Sequence, residues 1–95
     1  MIYERIKELR EKCGYSQSEL ARKLSVTRSS VNAWEMGISV PTTQYIVEMS
    51  QLFKVSSDYI LGINNNLTLN LDKFSDEELK LIYHLIEYMK NNKSN

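Results

Sequence analysis

The chain has 95 residues, 42% hydrophobic and 25% charged, a composition that suits one folded domain with a small appendage and excludes a disordered or strongly fibrous chain. Twelve Lys and Arg balance twelve Asp and Glu, which excludes a uniformly basic surface and makes any grip on phosphates a local matter. No apolar run approaches the ~20 residues that span a bilayer, no charged-then-apolar leader opens the chain, and one cysteine excludes an internal disulfide, so a reducing cytoplasm is the expected compartment.

One Pro and three Gly favour helices over hairpins. Residues 1–13 are predicted to be helical. Ile2, Ile6, Leu9 and Cys13 step by 4, 3 and 4 and form one apolar stripe. Glu4/Lys7 and Glu8/Lys12 are favourable pairs on the remaining surface. Cys13 is read as a small core side chain and Gly14 as the residue that ends the helix.

Residues 16–37, SQSELARKLSVTRSSVNAWEMG, read as two short helices joined by a sharp turn, and they organise the rest. Ser16 three residues before Glu19 is a capping box. Leu20 and Leu24 share a face, with Ala21 beside them small enough to let a second helix cross closely. The turn Leu24-Ser25-Val26 lacks glycine, so a positive φ at Ser25 would be strained. Thr27 caps a second helix over residues 28–36. Val31 and Trp34 point inward, which leaves Arg28, Ser29, Asn32 and Ala33 outward. That short polar edge suits a surface that reads base edges in a major groove.

Residues 36–41 form a loop closed by Gly37 and Pro41. Thr42 or Thr43 caps a helix to about Phe53, with Ile46, Met49, Leu52 and Phe53 inward. Ser56 caps a short helix that Gly62 stops. Residues 63–72 begin with an asparagine run, a linker; Leu67, Leu69 and Leu71 then alternate with polar residues at the period of a strand. Such a strand pairs with its copy in a second subunit, or the segment is an extended tether whose leucines dock on the core; the tether is the preferred reading. Ser75 and Glu78 form a second capping box with Phe74 as its staple, opening a helix to about Lys90. Leu79, Ile82, Tyr83, Ile86 and Met89 make one stripe on it and Leu81, Leu85 and Tyr88 another, more apolar surface than one contact covers. One stripe is expected on the domain and the other on a partner chain. Residues 91–95 read as a frayed polar tail.

The pattern IKELREKCGYSQSELARKLSVTRSSVNAWEMGISVPTTQYIVEMSQLFKVSSDYILG resembles the phage repressor and Cro type of helix-turn-helix domain, the XRE family. The resemblance covers about two-thirds of the chain. It rests on Arg10, SQSELA, the V-T-x-x-x-V-x-x-W-E-x-G run, Pro41 and the closing D-Y-I-L-G together. It implies a five-helix repressor-like DNA-binding domain over residues 1–62; the pattern of the remaining residues adds a linker over 63–74, with a possible short strand, and one C-terminal amphipathic helix over 75–90, so the chain is expected to be all-α. Gln17 matches a position that touches a phosphate and braces the recognition helix. Thr27 matches a phosphate-contacting or capping position, and Ser30 one near the backbone. Arg28, Ser29, Asn32 and Ala33 match base-facing positions. Ser39, Thr43 and Gln44 match the backbone clamp beyond the recognition helix, and Arg10 with Glu35 an internal ion pair. The loop after Glu35 lacks the basic residues some members carry, Ser25 replaces a frequent glycine, and no family pattern governs the chain after Gly62.

Arg28 can donate its planar fork to G O6 and N7, or hold a phosphate; Asn32 can bridge A N6 and N7, and Ala33 can meet a thymine methyl. Trp34 is core rather than a stacking platform, and His84, alone, makes no metal site. With one His, one Cys and no glycine-rich phosphate loop, an enzyme is not expected; nor is a cofactor, metal, small-molecule ligand or membrane. The expected partners are a pseudo-palindromic double-stranded operator and a second copy joined through Leu79, Ile82, Tyr83, Ile86 and Met89. The runner-up is a protein-interaction adaptor, such as an antitoxin or an anti-repressor's partner, that uses the C-terminal helix.

Overall fold

The computed structural model describes residues 1–63 and 71–91. Those residues form six α-helices and no strand: α1 Ile2–Lys12, α2 Gln17–Leu24, α3 Arg28–Glu35, α4 Thr43–Phe53, α5 Ser57–Leu61 and α6 Asp76–Asn91. A single 3-10 turn, Leu71–Lys73, precedes α6. The expected pairing or docking of residues 67–71 lies outside the described residues except for Leu71, which starts that turn. Of the expected tail, Asn91 is the last residue of α6; residues 92–95 lie outside the described ones.

The core is drawn from α1 to α5 and from Val55 between α4 and α5. Ile6 and Leu9 of α1 meet Leu20, Ala21 and Leu24 of α2, Val31 and Trp34 of α3, Ile46, Met49 and Phe53 of α4, and Tyr59 and Ile60 of α5. In α1 to α5 the apolar stripe ends where the helix ends, because the same device closes each of these five helices. The residue after the last turn takes a left-handed conformation, and the next N–H bonds back across the turn. Tyr15 N–H donates to the Arg10 carbonyl, Val26 to Ala21, Ile38 to Ala33, Val55 to Ser50 and Ile63 to Asp58, at 2.9–3.1 Å. The left-handed residues are Gly14, Gly37 and Gly62, but also Ser25 (φ 57°) and Lys54 (φ 61°). The first three carry no Cβ and adopt it freely; the last two pay a steric penalty of roughly 1–2 kcal/mol.

This closure corrects one reading. Cys13 is exposed, not part of the core. α1 stops at Lys12, so Cys13 caps the helix while the chain turns at Gly14, and the stripe ends at Leu9. Elsewhere local chemistry acts as the sequence suggests. Ser16, Thr27 and Ser56 accept the N–H of Glu19, Ser30 and Tyr59, and Ser75 accepts that of Glu78 at 3.1 Å. Thr42 caps α4 by position only, with no side-chain bond.

Candidate nucleic-acid interface

Helices α2 and α3 pack on each other, and Ala21 of α2 is buried in the shared core, a side chain too small to hold packed helices apart. Val31 is 0% and Trp34 6% exposed, and the Trp34 ring lies 5.5 Å from that of Tyr45. With those two side chains turned in, the other side of α3 must face solvent. Arg28, Ser29 and Asn32 are exposed, and Ser30 and Ala33 are half-buried.

Three residues from three elements set the tilt of α3. Arg10 Nε donates to Glu35 Oε2 at 2.6 Å, and a second guanidinium nitrogen to Oε1 at 3.0 Å. Arg10 Nη1 also donates to the Tyr15 carbonyl at 2.7 Å. Glu35 Oε1 accepts from Gln17 Nε2 at 3.1 Å, and the same nitrogen donates to Asn32 Oδ1 at 3.2 Å. The pair ties α1 to the end of α3, and Gln17 ties the start of α2 to its middle. The hydrogen bond that Arg10 donates to Glu35, with the charge of that carboxylate, raises the Arg10 pKa above its ordinary value against the opposing effect of burial.

The brace also redistributes charge. Over residues 16–40 the sequence holds Arg22, Lys23 and Arg28 against Glu19 and Glu35, an excess of one. Glu35 is buried and committed to Arg10, so the solvent-facing charges of that stretch are three cations and Glu19.

Thr27 Oγ1 accepts the Ser30 N–H at 3.1 Å and lies 3.0 Å from Ser30 Oγ, so these two side chains bond each other. Beyond α3, Ser39, Thr43 and Gln44 are exposed. The Ser39 N–H is spent on the Ala33 carbonyl at 3.3 Å, whereas α4 starts without a side-chain cap. The partners of the Gln17 brace, Glu35 and Asn32, and the use of Lys73 and Ser50 are not legible in the sequence. None has a local pattern, since each joins residues distant in the chain.

On α6, Leu79 and Ile82 are half-buried, while Tyr83, Ile86, Met89, Leu81, Leu85 and Tyr88 are exposed. No α6 residue is fully buried. Among the described residues no three His, Cys, Asp or Glu side chains come together as a metal site, and no helix is long and apolar enough to cross a membrane.

Two short helices joined by a three-residue turn, the second capped by threonine and offering a polar edge, make a helix-turn-helix unit. The helix-turn-helix family model matches residues 6–60, and the chain belongs to that family, in its XRE, or repressor and Cro, type. Among curated proteins it is 39% identical over 59 residues to the HTH-type transcriptional regulator ImmR of Bacillus subtilis (strain 168), covering 62% of this chain. The match spans 46%, a little under half, of ImmR. Among solved structures it is similar to the biofilm master regulator SinR in complex with DNA, with TM-score 0.60, 37% identity, and coverage of 64% of this chain and 98% of that one. A SinR–SinI protein complex matches over all of both chains (100% each), at TM-score 0.61 and 28% identity.

Proposed function

We propose that the chain is a sequence-specific, double-stranded DNA-binding transcriptional regulator that works as a dimeric repressor. The observation that carries this reading is the outward edge of α3, held proud by buried Val31 and Trp34 and fixed in tilt by the Arg10–Glu35–Gln17 brace. In this reading residues 1–62 bind DNA, 63–74 link, and 75–90 join two copies through Leu79, Ile82, Tyr83, Ile86 and Met89. Arg28, Ser29, Asn32 and Ala33 face bases. Arg28 reads guanine through its fork, and Ala33 presents a methyl-sized surface. Asn32 keeps its amide N–H donors for a base, since its oxygen already accepts from Gln17. Gln17 donates from one nitrogen to two partners, so its phosphate contact falls to its backbone N–H at the start of α2. Thr27, Ser30, Ser39, Thr43 and Gln44 line the backbone contacts. The uncapped start of α4 supplies N–H groups that carry no formal charge, which suits a chain of zero net charge.

One such unit covers a few base pairs, so a dimer sets two recognition helices about 34 Å apart on a pseudo-palindrome. Repression follows from occupancy and needs no catalysis, cofactor or metal; the protein works in the cytoplasm, where its operator is. The test is selection of bound duplexes from a random pool, followed by Arg28→Ala. The variant loses about 1–3 kcal/mol on the selected operator, roughly 5- to 150-fold, and much less on random DNA. Equal loss on both would show that Arg28 reads no base.

A second reading, an adaptor whose α6 binds a different protein, has one observation in its favour: α6 carries a broad exposed apolar surface. The absence of salt-sensitive duplex binding at low ionic strength would favour it.

A further inference from the structure

α6 holds no fully buried residue, and of its apolar side chains only Leu79 and Ile82 are half-buried, so its direction relative to α3 leans on the segment that leads into it. That segment is tied to the end of α4 by a reciprocal clasp of two lysines. Lys73 Nζ donates to Ser50 Oγ at 3.1 Å and to the Val55 carbonyl at 3.0 Å. Lys54 Nζ donates back to the Lys73 carbonyl at 2.9 Å and stands 5.5 Å from the centre of the Phe74 ring. Phe74 in turn immediately precedes Ser75, the cap of α6.

The acceptors of Lys73 are buried. Ser50 is 2% and Val55 1% exposed. Ser50 Oγ spends its own hydrogen on the Val47 carbonyl at 2.7 Å, which leaves its lone pairs for the ammonium. The ammonium thus sits at the C-terminal end of α4, where the helix dipole favours a cation. Charge-assisted bonds of this kind are short and directional. Lys54 closes α4 in the left-handed conformation, which disfavours any side chain; the side chain placed there is the one that holds Lys73.

We infer that Lys73 is a positioning residue that sets operator spacing. By pinning the start of α6 to the end of α4, it fixes the angle between the two recognition helices of a dimer joined through α6, and with it the half-site separation the protein accepts. The inference rests on the reading of α6 as the dimer element. Each base pair inserted between half-sites shifts them by about 3.4 Å and turns them by about 35°. A stiff connection cannot follow that rotation, whereas a loosened one can. Loss of the ammonium therefore relaxes spacing before it weakens a half-site contact.

The experiment uses the full chain and duplexes carrying the selected half-sites at the selected separation, one base pair closer, and one base pair farther. The wild type loses about tenfold or more in affinity at the wrong separations, as expected when two rigidly linked sites cannot engage together. Lys73→Met loses less than about threefold there, keeps its affinity for a single half-site, and leaves the Trp34 fluorescence melt of the α1–α5 core unchanged. Lys73→Arg restores the discrimination. Retention of the full spacing penalty by Lys73→Met overturns the inference, as does a parallel loss on the single half-site. Lack of binding to any duplex overturns the proposed function as well, and the half-site control separates the two failures. As a second readout, spin labels at Arg22→Cys and Glu87→Cys in a Cys13→Ser background give a narrow distance distribution that broadens with Lys73→Met; an unchanged distribution also overturns it.

Discussion

Glu35→Leu tests the brace most directly. Glu35 offers both carboxylate oxygens to Arg10, at 2.6 and 3.0 Å, and the two side chains are 3% and 11% exposed. Removing the carboxylate leaves a guanidinium enclosed by protein with the Tyr15 carbonyl at 2.7 Å as its remaining acceptor in the brace, and leaves Gln17 with Asn32 alone. An orphaned buried charge costs about 3–5 kcal/mol, against less than about 1 kcal/mol for an exposed pair. A unit of about 60 residues has a total stability of roughly 3–9 kcal/mol, so the variant loses from about a third to all of it, its midpoint lowered by at least roughly 12 °C. Arg10→Met leaves the carboxylate enclosed and costs a similar amount. The double variant Arg10→Met/Glu35→Leu is expected to be more stable than either single one, because no charge is stranded. Urea unfolding followed by Trp34 fluorescence measures all three, since Trp34 is the sole tryptophan and sits beside Glu35. Single variants that each lose under ~1 kcal/mol, with an additive double, would refute a buried, coupled pair.

Ser25→Gly relieves a side chain at φ 57° and should raise stability by about 0.5–1 kcal/mol, the relief being partly offset by greater freedom of the unfolded chain; a lower melting temperature would contradict this. The Glu19 and Glu78 carboxylates accept the Ser16 and Ser75 backbone N–H groups, each at 2.8 Å, and these bonds hold both pKa values below the ordinary 4.5. A depressed folded-state pKa means a contribution present at neutral pH and lost as pH falls below 4.5 through the folded value. α6 amide shifts should therefore report fraying in that acid range, and Glu78→Gln should flatten the response; an identical curve in the variant would rule out the cap as its source. On the exposed surface of α6, Ile86→Glu should convert a dimer to a monomer in sedimentation without changing α1–α5 helicity; an unchanged mass would remove Ile86 from the interface.

Much of the fold was legible because its signals are local. The capping serines and threonine, the stripe of Ile6 and Leu9, the spacing of Val31 and Trp34, and the stops at Gly14, Gly37 and Gly62 each act within one or two helical turns. Periodicity alone places Cys13 in the core, because it carries on through a residue that the backbone has already turned away from it. The family resemblance marked Arg10 and Glu35 as partners, but only packing makes them a dry pair. The second acceptor role of Glu35 toward Gln17, and the bond from Gln17 to Asn32, join residues 18 and 15 positions apart, beyond any local pattern.

The order of residues alone determined where helices begin and end and which side of each is apolar, since capping and periodicity are properties of neighbouring residues. It also limited the charge near the recognition helix to a handful of groups. Only the tertiary structure decided which of those charges meets solvent, because burial of Glu35 against Arg10 withdraws an anion and leaves Arg22, Lys23, Arg28 and Glu19 exposed. It decided as well how the last helix is aimed, through Lys73 reaching across 23 positions to Ser50. Contacts of that separation exist only once the chain has closed, when the geometry of the whole core brings their atoms within bonding distance.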